Sequence, residues 1–257
     1  MTYRRMTGAA VLWICAAPVL GQDGAGFVEE FDRLDRDRWF ISDGWRNGDH
    51  QSCDWTAGAV TLEDGVLRVT LDQTADGGLI CGEVQSRGRF GFGTIEARVR
   101  VPYAPGTNAN VFTFIGPPQG LPHDEIDFEF IAPRGPSLQT NTYVGGVGGR
   151  EQIHQVPAED AWLDLAVVWE PGRLRWFMDG MLIREETGEA VPGGEEHKLY
   201  LSIWSTATLT DWLGTLEWSE PLVLEVERVA FTPLGDACGF EASILCADIE
   251  GGVPAAP

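Results

Sequence analysis

The stretch Asp124-Glu125-Ile126-Asp127-Phe128-Glu129-Phe130 constrains this chain more than any other. Three acids alternate with three bulky apolar residues, the period-two pattern of a strand with one buried and one displayed face. Parity puts Glu125, Asp127 and Glu129 on one side and sends Ile126, Phe128 and Phe130 into a core. At about 3.3 Å per residue the outer two acids have Cα atoms about 13 Å apart, a gap that long side chains over a curved sheet can narrow. Double-displacement glycoside cleavage uses two carboxyls about 5–5.5 Å apart, one as nucleophile and one as acid/base. Three crowded carboxylates also cannot all ionise cheaply, so at least one is expected to keep its proton near neutrality. The plain alternative is an edge strand whose acids face water, because a bare E-x-D-x-E among 39 acidic residues is a weak motif.

The remaining chain supplies sheets for such a strand. Val66–Leu71 alternates Leu67, Val69 and Leu71 against Arg68 and Thr70. Thr94–Val101 alternates Ile95, Ala97, Val99 and Val101 against Thr94, Glu96, Arg98 and Arg100, so both read as half-buried strands. Asn108–Ile115, Leu163–Trp169, Leu174–Met178, Met181–Arg184, Leu199–Trp204 and Leu222–Phe231 follow, with Asp179-Gly180 as a hairpin turn. With 32 Gly, 15 Pro, no internal repeat and no long amphipathic helical stretch, the chain is expected to be all-β. The order of turns suits a two-sheet antiparallel β-sandwich of jelly-roll type.

Residues 1–21 read as a secretory signal peptide, with Arg4 and Arg5, an apolar Ala9–Leu20 and a Val19-x-Gly21 cleavage site before Gln22. That run is shorter than the ~20 residues of a membrane span. The protein is therefore expected to be secreted, extracellular or periplasmic, without membrane contact after cleavage. Residues 22–232 are expected to form one catalytic domain, and 233–257 a C-terminal extension with a disordered tail from Gly251. A formal charge of −21 argues against nucleic acid and anionic membranes as partners and favours neutral polymers such as unsubstituted glucans. A monomer is expected. Cys15 leaves with the signal, and the even number remaining (Cys53, Cys81, Cys238, Cys246) suggests two disulfides. Four cysteines allow three pairings, and proximity in sequence favours Cys238–Cys246, leaving Cys53–Cys81. No C-x-x-C pair suggests a thiolate metal site.

At the acid strand the chain resembles glycoside hydrolase family 16, whose signature is E-[ILV]-D-x-E on a strand of a concave sheet. The likeness continues through Ser42-Asp43-Gly44-Trp45-Arg46-Asn47-Gly48, Cys81-Gly82-Glu83 and Phe90-Gly91-Phe92-Gly93. Phe112-Thr113-Phe114-Ile115-Gly116-Pro117, Asn141-Thr142-Tyr143, Arg175-Trp176-Phe177-Met178-Asp179-Gly180 and Asp211-Trp212-Leu213-Gly214 extend it. Together these segments look like the bacterial licheninase branch and cover about Phe27–Thr232. The resemblance implies a concanavalin-like sandwich with a concave substrate cleft. It implies Glu125 as nucleophile, Glu129 as general acid/base and Asp127 as the residue that tunes the nucleophile, and it implies a Cys53–Cys81 disulfide. Asn47, Glu83, Asn141 and Tyr143 match positions that bond sugar hydroxyls, while Phe112, Trp204 and Trp212 match aromatics that pack on sugar faces. For Trp204 the structural alternative is core packing, and for Asn141 a turn cap. Trp176 is expected in the core or on the convex face. No cofactor is expected for catalysis, and His50, His154 and His197 lack ligand-like spacing. A structural calcium is implied, with Glu227 where an aspartate ligand is usual and Gly65 as a carbonyl donor.

Several positions depart from the licheninase pattern. His123 stands where an aromatic is expected, Gln85 for an arginine, Phe114 for a tyrosine and Ser202 for an asparagine. His123 shares the face of Glu125 by parity, so it either shapes a subsite or sits in a surface loop after Pro122. The expected function is a retaining endo-β-glucanase on mixed β-1,3-1,4-linked glucan. The alternatives are an endo-β-glycanase of succinoglycan-type exopolysaccharide, which His123 and Gln85 resemble more closely, a xyloglucan transglycosylase, or a lectin-like module without turnover.

Overall fold

The computed structural model describes residues 24–157, 160–217 and 219–246, so the expected signal peptide and the tail from Gly251 lie outside the described residues. In chain order the strands begin with β1 (Phe27–Glu29), β2 (Trp39–Ile41), β3 (Asp54–Trp55), β4 (Val60–Glu63), β5 (Val66–Gln73) and β6 (Leu79–Cys81). Next come β7 (Glu83–Ser86), β8 (Gly93–Arg100), β9 (Thr107–Ile115), β10 (Asp124–Ile131), β11 (Ser137–Tyr143) and β12 (Gln152–Gln155). The last are β13 (Trp162–Glu170), β14 (Arg173–Met178), β15 (Met181–Thr187), β16 (Lys198–Ser205) and β17 (Leu222–Pro233). Among the described residues one short α-helix, α1 (Thr210–Leu213), interrupts the strands.

These strands make the expected two-sheet sandwich. The inner sheet runs β12-β11-β10-β9-β16-β7-β2, which places the acid strand near its centre. The outer sheet runs β15-β14-β13-β8-β17-β5-β6-β3, with β1 on β17 and β4 on β5. Pairing is antiparallel except between β3 and β6. Ile126, Phe128 and Phe130 of β10 are buried in the core with Val111, Leu199, Leu201 and Ile203 of the same sheet. Facing them are Leu67, Val69, Ile95, Val99, Leu165, Val167, Trp176 and Leu224. Each large apolar side chain withdrawn from water contributes about 1.5–3 kcal/mol, so the apolar half of the alternation fixes which way the acids point. Trp176 is fully buried, as expected for a core residue.

Local chemistry sets the turns. Asp64-Gly65 (φ +51° and +78°) and Asp179-Gly180 (φ +49° and +76°) both put two successive residues in the left-handed region, the geometry that a tight hairpin matches to strand twist. Both expected disulfides are present, Cys53–Cys81 with Cα atoms 5.7 Å apart and Cys238–Cys246 with Cα atoms 5.6 Å apart. The sequence did not indicate β1, β2, β3, β4, β6, β7 or β12, which at two to four residues are too short to show alternation. Nor did it indicate β11, where Leu138, Thr140 and Thr142 face inward and only one of the three is apolar.

Two expectations need correction. Glu96 of β8 is buried, not displayed, because the C-terminal extension covers that face: Ser243 Oγ (2.7 Å) and the Ile244 amide (2.8 Å) both donate to its carboxylate. Ile244 also packs on Ala166, Val168 and Phe177, so the extension is docked on the outer sheet as far as Cys246. Asp127 is likewise buried, where alternation placed it on a displayed face. Gly65 forms the β4–β5 turn, and the Glu227 carboxylate accepts from Arg98 Nε at 2.5 Å.

Gly106 controls one wall of the cleft. Its φ is +78°, and a Cβ there would lie 2.3 Å from the Leu216 amide nitrogen, in the segment just after α1 and Trp212. Its amide donates to the Leu213 carbonyl at 2.6 Å. Gly106→Ala is expected to cost about 2–4 kcal/mol by chemical denaturation, as strained backbone positions do. An unchanged denaturation midpoint would show that the α1 segment yields freely.

Candidate active site

Register turns the acid strand into a grid. Side chains directly opposite one another on antiparallel strands share a face. Glu125 therefore lies between Phe114 on β9 and Tyr143 on β11, with Lys198 on β16 extending the row. Asp127 lies between Phe112 and Asn141, and that row continues through Tyr200 and Gln85 to Phe40 at the sheet edge. Glu129 lies between Asn110 and Gln139, with Ser202 and Glu83 beyond Asn110. Most of these residues line a cleft of about 1060 Å³ over the inner sheet.

Glu129 is held at both carboxyl oxygens. Asn108 Nδ2 donates to Oε1 and Gln139 Nε2 donates to Oε2, each at 2.7 Å. Neither amide is free to flip. Asn108 Oδ1 accepts from Asn110 Nδ2 (3.2 Å), and Asn110 Oδ1 accepts from Ser202 Oγ (2.7 Å). On the other side Gln139 Oε1 accepts from Trp212 Nε1 at 3.0 Å. These donors favour the carboxylate, yet burial outweighs them and, with the nearby Glu125 charge, pushes Glu129 up to about 7.

Asp127 is pushed well above the carboxylate range, by burial first and then by the charges of Glu125 and Glu129. That direction favours the protonated form, which can donate to the neighbouring Glu125. Glu125 is also met from the loop side, where His123 Nε2 lies 2.5 Å from its Oε2. Tyr143 is raised to about 12 by burial and by the three acids, so its hydroxyl stays protonated.

A further buried acid lies three strands away, on β7. Glu83 is raised to about 7 by desolvation, although Ser42 Oγ (2.5 Å) and Gln85 Nε2 (3.4 Å) both donate to it. Gln85, where the resemblance called for an arginine, accepts from Lys198 Nζ at 3.1 Å, so a cation still reaches that corner.

Every substrate-binding residue expected from the sequence lines this cleft: Asn47, Glu83, Phe112, His123, Asn141, Tyr143, Trp204 and Trp212. Trp204 also packs against the core edge and lies 6.2 Å from Trp212, so both views of it hold. Asn141 doubles as a cap, its Oδ1 accepting from the Arg150 amide at 3.3 Å. His123 lines the cleft from the loop just before β10. Sequence reasoning missed Asn108, Asn110, Gln139 and Tyr200. Tyr200 stacks on Phe112 at 4.7 Å. The alternation Gln139-x-Asn141-x-Tyr143 carried a usable signal for Gln139, since its neighbours were already candidates.

Comparison with known proteins agrees with this geometry. The model for Glycosyl hydrolases family 16 matches residues 47–220. The chain is 44% identical over 224 residues to endo-1,3-1,4-beta-glycanase ExoK of Rhizobium meliloti (strain 1021), covering 86% of this chain and 83% of that one. It is 32% identical over 209 residues to a beta-glucanase of Bacillus amyloliquefaciens, covering 79% and 86% respectively. The solved structure of Bacillus licheniformis beta-glucanase matches with a TM-score of 0.77 at 29% identity, over 81% of this chain and 98% of that one.

The buried acids make stability depend on pH. Glu83 moves from 4.5 to about 7 on folding, so the folded state holds a proton that the unfolded chain releases in between. Its contribution, on the order of 3 kcal/mol, is fully present below the unfolded pKa and lost as pH rises through the folded one. The melting temperature is expected to fall across that window, and Glu83→Gln to flatten the fall. An identical slope in parent and variant would show that Glu83 takes up no proton on folding.

Proposed function

This chain belongs to glycosyl hydrolase family 16 and is a glycoside hydrolase, and from that premise we propose that it is a secreted retaining endo-β-glucanase acting on mixed β-1,3-1,4-linked glucan. Glu125 is the nucleophile, Glu129 the general acid/base and Asp127 the proton-bearing residue that tunes Glu125. The observation that supports this most directly is Glu129, clamped by two amides yet raised to about 7, which lets it both give and take a proton near neutrality.

In the first step a Glu125 oxygen bonds to the anomeric carbon as the glycosidic C–O bond breaks. The departing oxygen takes the Glu129 proton. In the second step water attacks the same carbon, Glu129 accepts its proton, and the electron pair of the ester bond returns to Glu125, giving net retention. Phe112, Trp204 and Trp212 offer ring faces for sugars, and Asn47, Asn141 and Tyr143 offer polar contacts along the cleft.

A second substrate reading, a succinoglycan-type exopolysaccharide, is favoured by His123 and Gln85, which replace the aromatic and the arginine of the licheninase pattern. The relative named an endo-1,3-1,4-beta-glycanase is 44% identical, against 32% for the beta-glucanase of Bacillus amyloliquefaciens.

Residues 22–257 are expected to release reducing ends rapidly from barley-type mixed-linkage glucan, and a Glu125→Gln variant to release none. A folded parent that releases none from this glucan but cleaves the exopolysaccharide would transfer the assignment to the second substrate. Glu129→Ala is expected to lose general-acid help and to recover activity on an activated β-glycoside when azide is added. The product should be the β-glycosyl azide, and the α-anomer would contradict double displacement through Glu125.

A further inference from the structure

His123 lies immediately before β10 and is held more firmly than a loop residue needs to be. Its ring stacks on Tyr143 at 4.5 Å with planes 13° apart, and the Phe114 ring meets it at 5.1 Å and 62°. The backbone is clamped as well. The Gly146 amide donates to the His123 carbonyl at 2.7 Å, and the Gly145 amide donates to Asp124 Oδ1 at 2.7 Å. Packed this way, Nε2 sits 2.5 Å from Glu125 Oε2, with about a third of the His123 side chain and a fifth of that of Glu125 exposed.

A carboxylate only accepts, so this contact requires a proton on Nε2, carried by the neutral Nε2–H tautomer or by the imidazolium. Glu125 therefore has a donor committed to Oε2, in addition to the protonated Asp127. We propose that His123 is a positioning residue for the nucleophile, which directs Oε1 at the anomeric carbon and eases release of Glu125 from the glycosyl-enzyme. This rests on the assignment of Glu125 as nucleophile.

The two chemical steps use that hydrogen bond differently. When Oε1 forms the ester, negative charge leaves Oε2 and the bond from His123 weakens. When water displaces the sugar, the electron pair of the C1–Oε1 bond returns to the carboxylate, charge reappears on Oε2 and the bond strengthens. A donor at Oε2 therefore stabilises the second transition state relative to the intermediate, while offering nothing extra to the first. It also freezes the Glu125 rotamer, so that one oxygen faces the sugar. A residue that merely filled space there would affect both steps alike.

The test is steady-state and pre-steady-state kinetics with an aryl β-glycoside of good leaving ability, using H123F and H123Q. Phenylalanine keeps a flat ring against Tyr143 but cannot donate, whereas glutamine restores a donor without the stack. H123F is expected to lower kcat about tenfold, the scale of one hydrogen bond to a charged group, with kcat/KM nearly held and KM reduced in proportion. Its glycosyl-enzyme should accumulate as a mass increase of one glycosyl unit on the intact protein, and H123Q should recover much of the kcat. Equal falls in kcat and kcat/KM, with no accumulation and no rescue by H123Q, would reduce His123 to a packing role. An H123F variant with parental kcat would overturn the proposal too. Glu125→Gln, measured alongside, separates the two assignments: if it is inactive the nucleophile stands whatever His123 does, and if it is fully active both fall.

Discussion

Three carboxyl groups crowded on one face of one strand, the middle one buried and its neighbours partly so, are the constraint around which the inner sheet is arranged. Each ionised acid repels the others, and burial makes that repulsion stronger than it would be in solvent. The sheet resolves the conflict in two ways. Asp127, the most enclosed, keeps its proton, while Glu129 is supplied with amide donors on both oxygens and ends poised near neutrality. Those donors work only because their own acceptor ends are engaged, by Asn110 and Ser202 on one side and by Trp212 on the other. The amides around Glu129 thus form one connected network.

Charge is distributed unevenly over the molecule. Lys198 and Gln85 bring positive and amide groups to one end of the cleft, although the chain as a whole carries −21. On the outer sheet, acids and arginines alternate across strands, with Glu225 between Arg68 and Arg100, and Arg98 shared by Asp164 and Glu227. Where such pairs are exposed, as at Asp164 and Glu227, they contribute little stability individually. The C-terminal extension completes the same surface by satisfying the buried Glu96 and covering Ala166, Val168 and Phe177.

Much of the site was legible before any coordinates. Alternation from Asp124 to Phe130 fixed the strand and the face of its acids, because apolar side chains at every second position must go to the core. Asp179-Gly180 marked a hairpin because that pair accepts positive φ at low cost. Parity alone put His123 on the side of Glu125. The failures have a common cause. Glu96 looked exposed because its cover arrives from residues about 150 positions later, and β11 was overlooked because cleft and core residues on it are both largely polar.

The sequence by itself determined the strand, the turns and the identity of the acids, since these follow from local periodicity and backbone preference. Only the tertiary structure decided which of the acids holds a proton. That depends on how deeply each is buried and on which partners lie beside it: Asn108 and Gln139 hold Glu129, and Ser202 (through Asn110) and Trp212 hold those two amides, four separate segments in all. Burial and donor placement are properties of strands packed side by side, and a one-dimensional pattern contains neither.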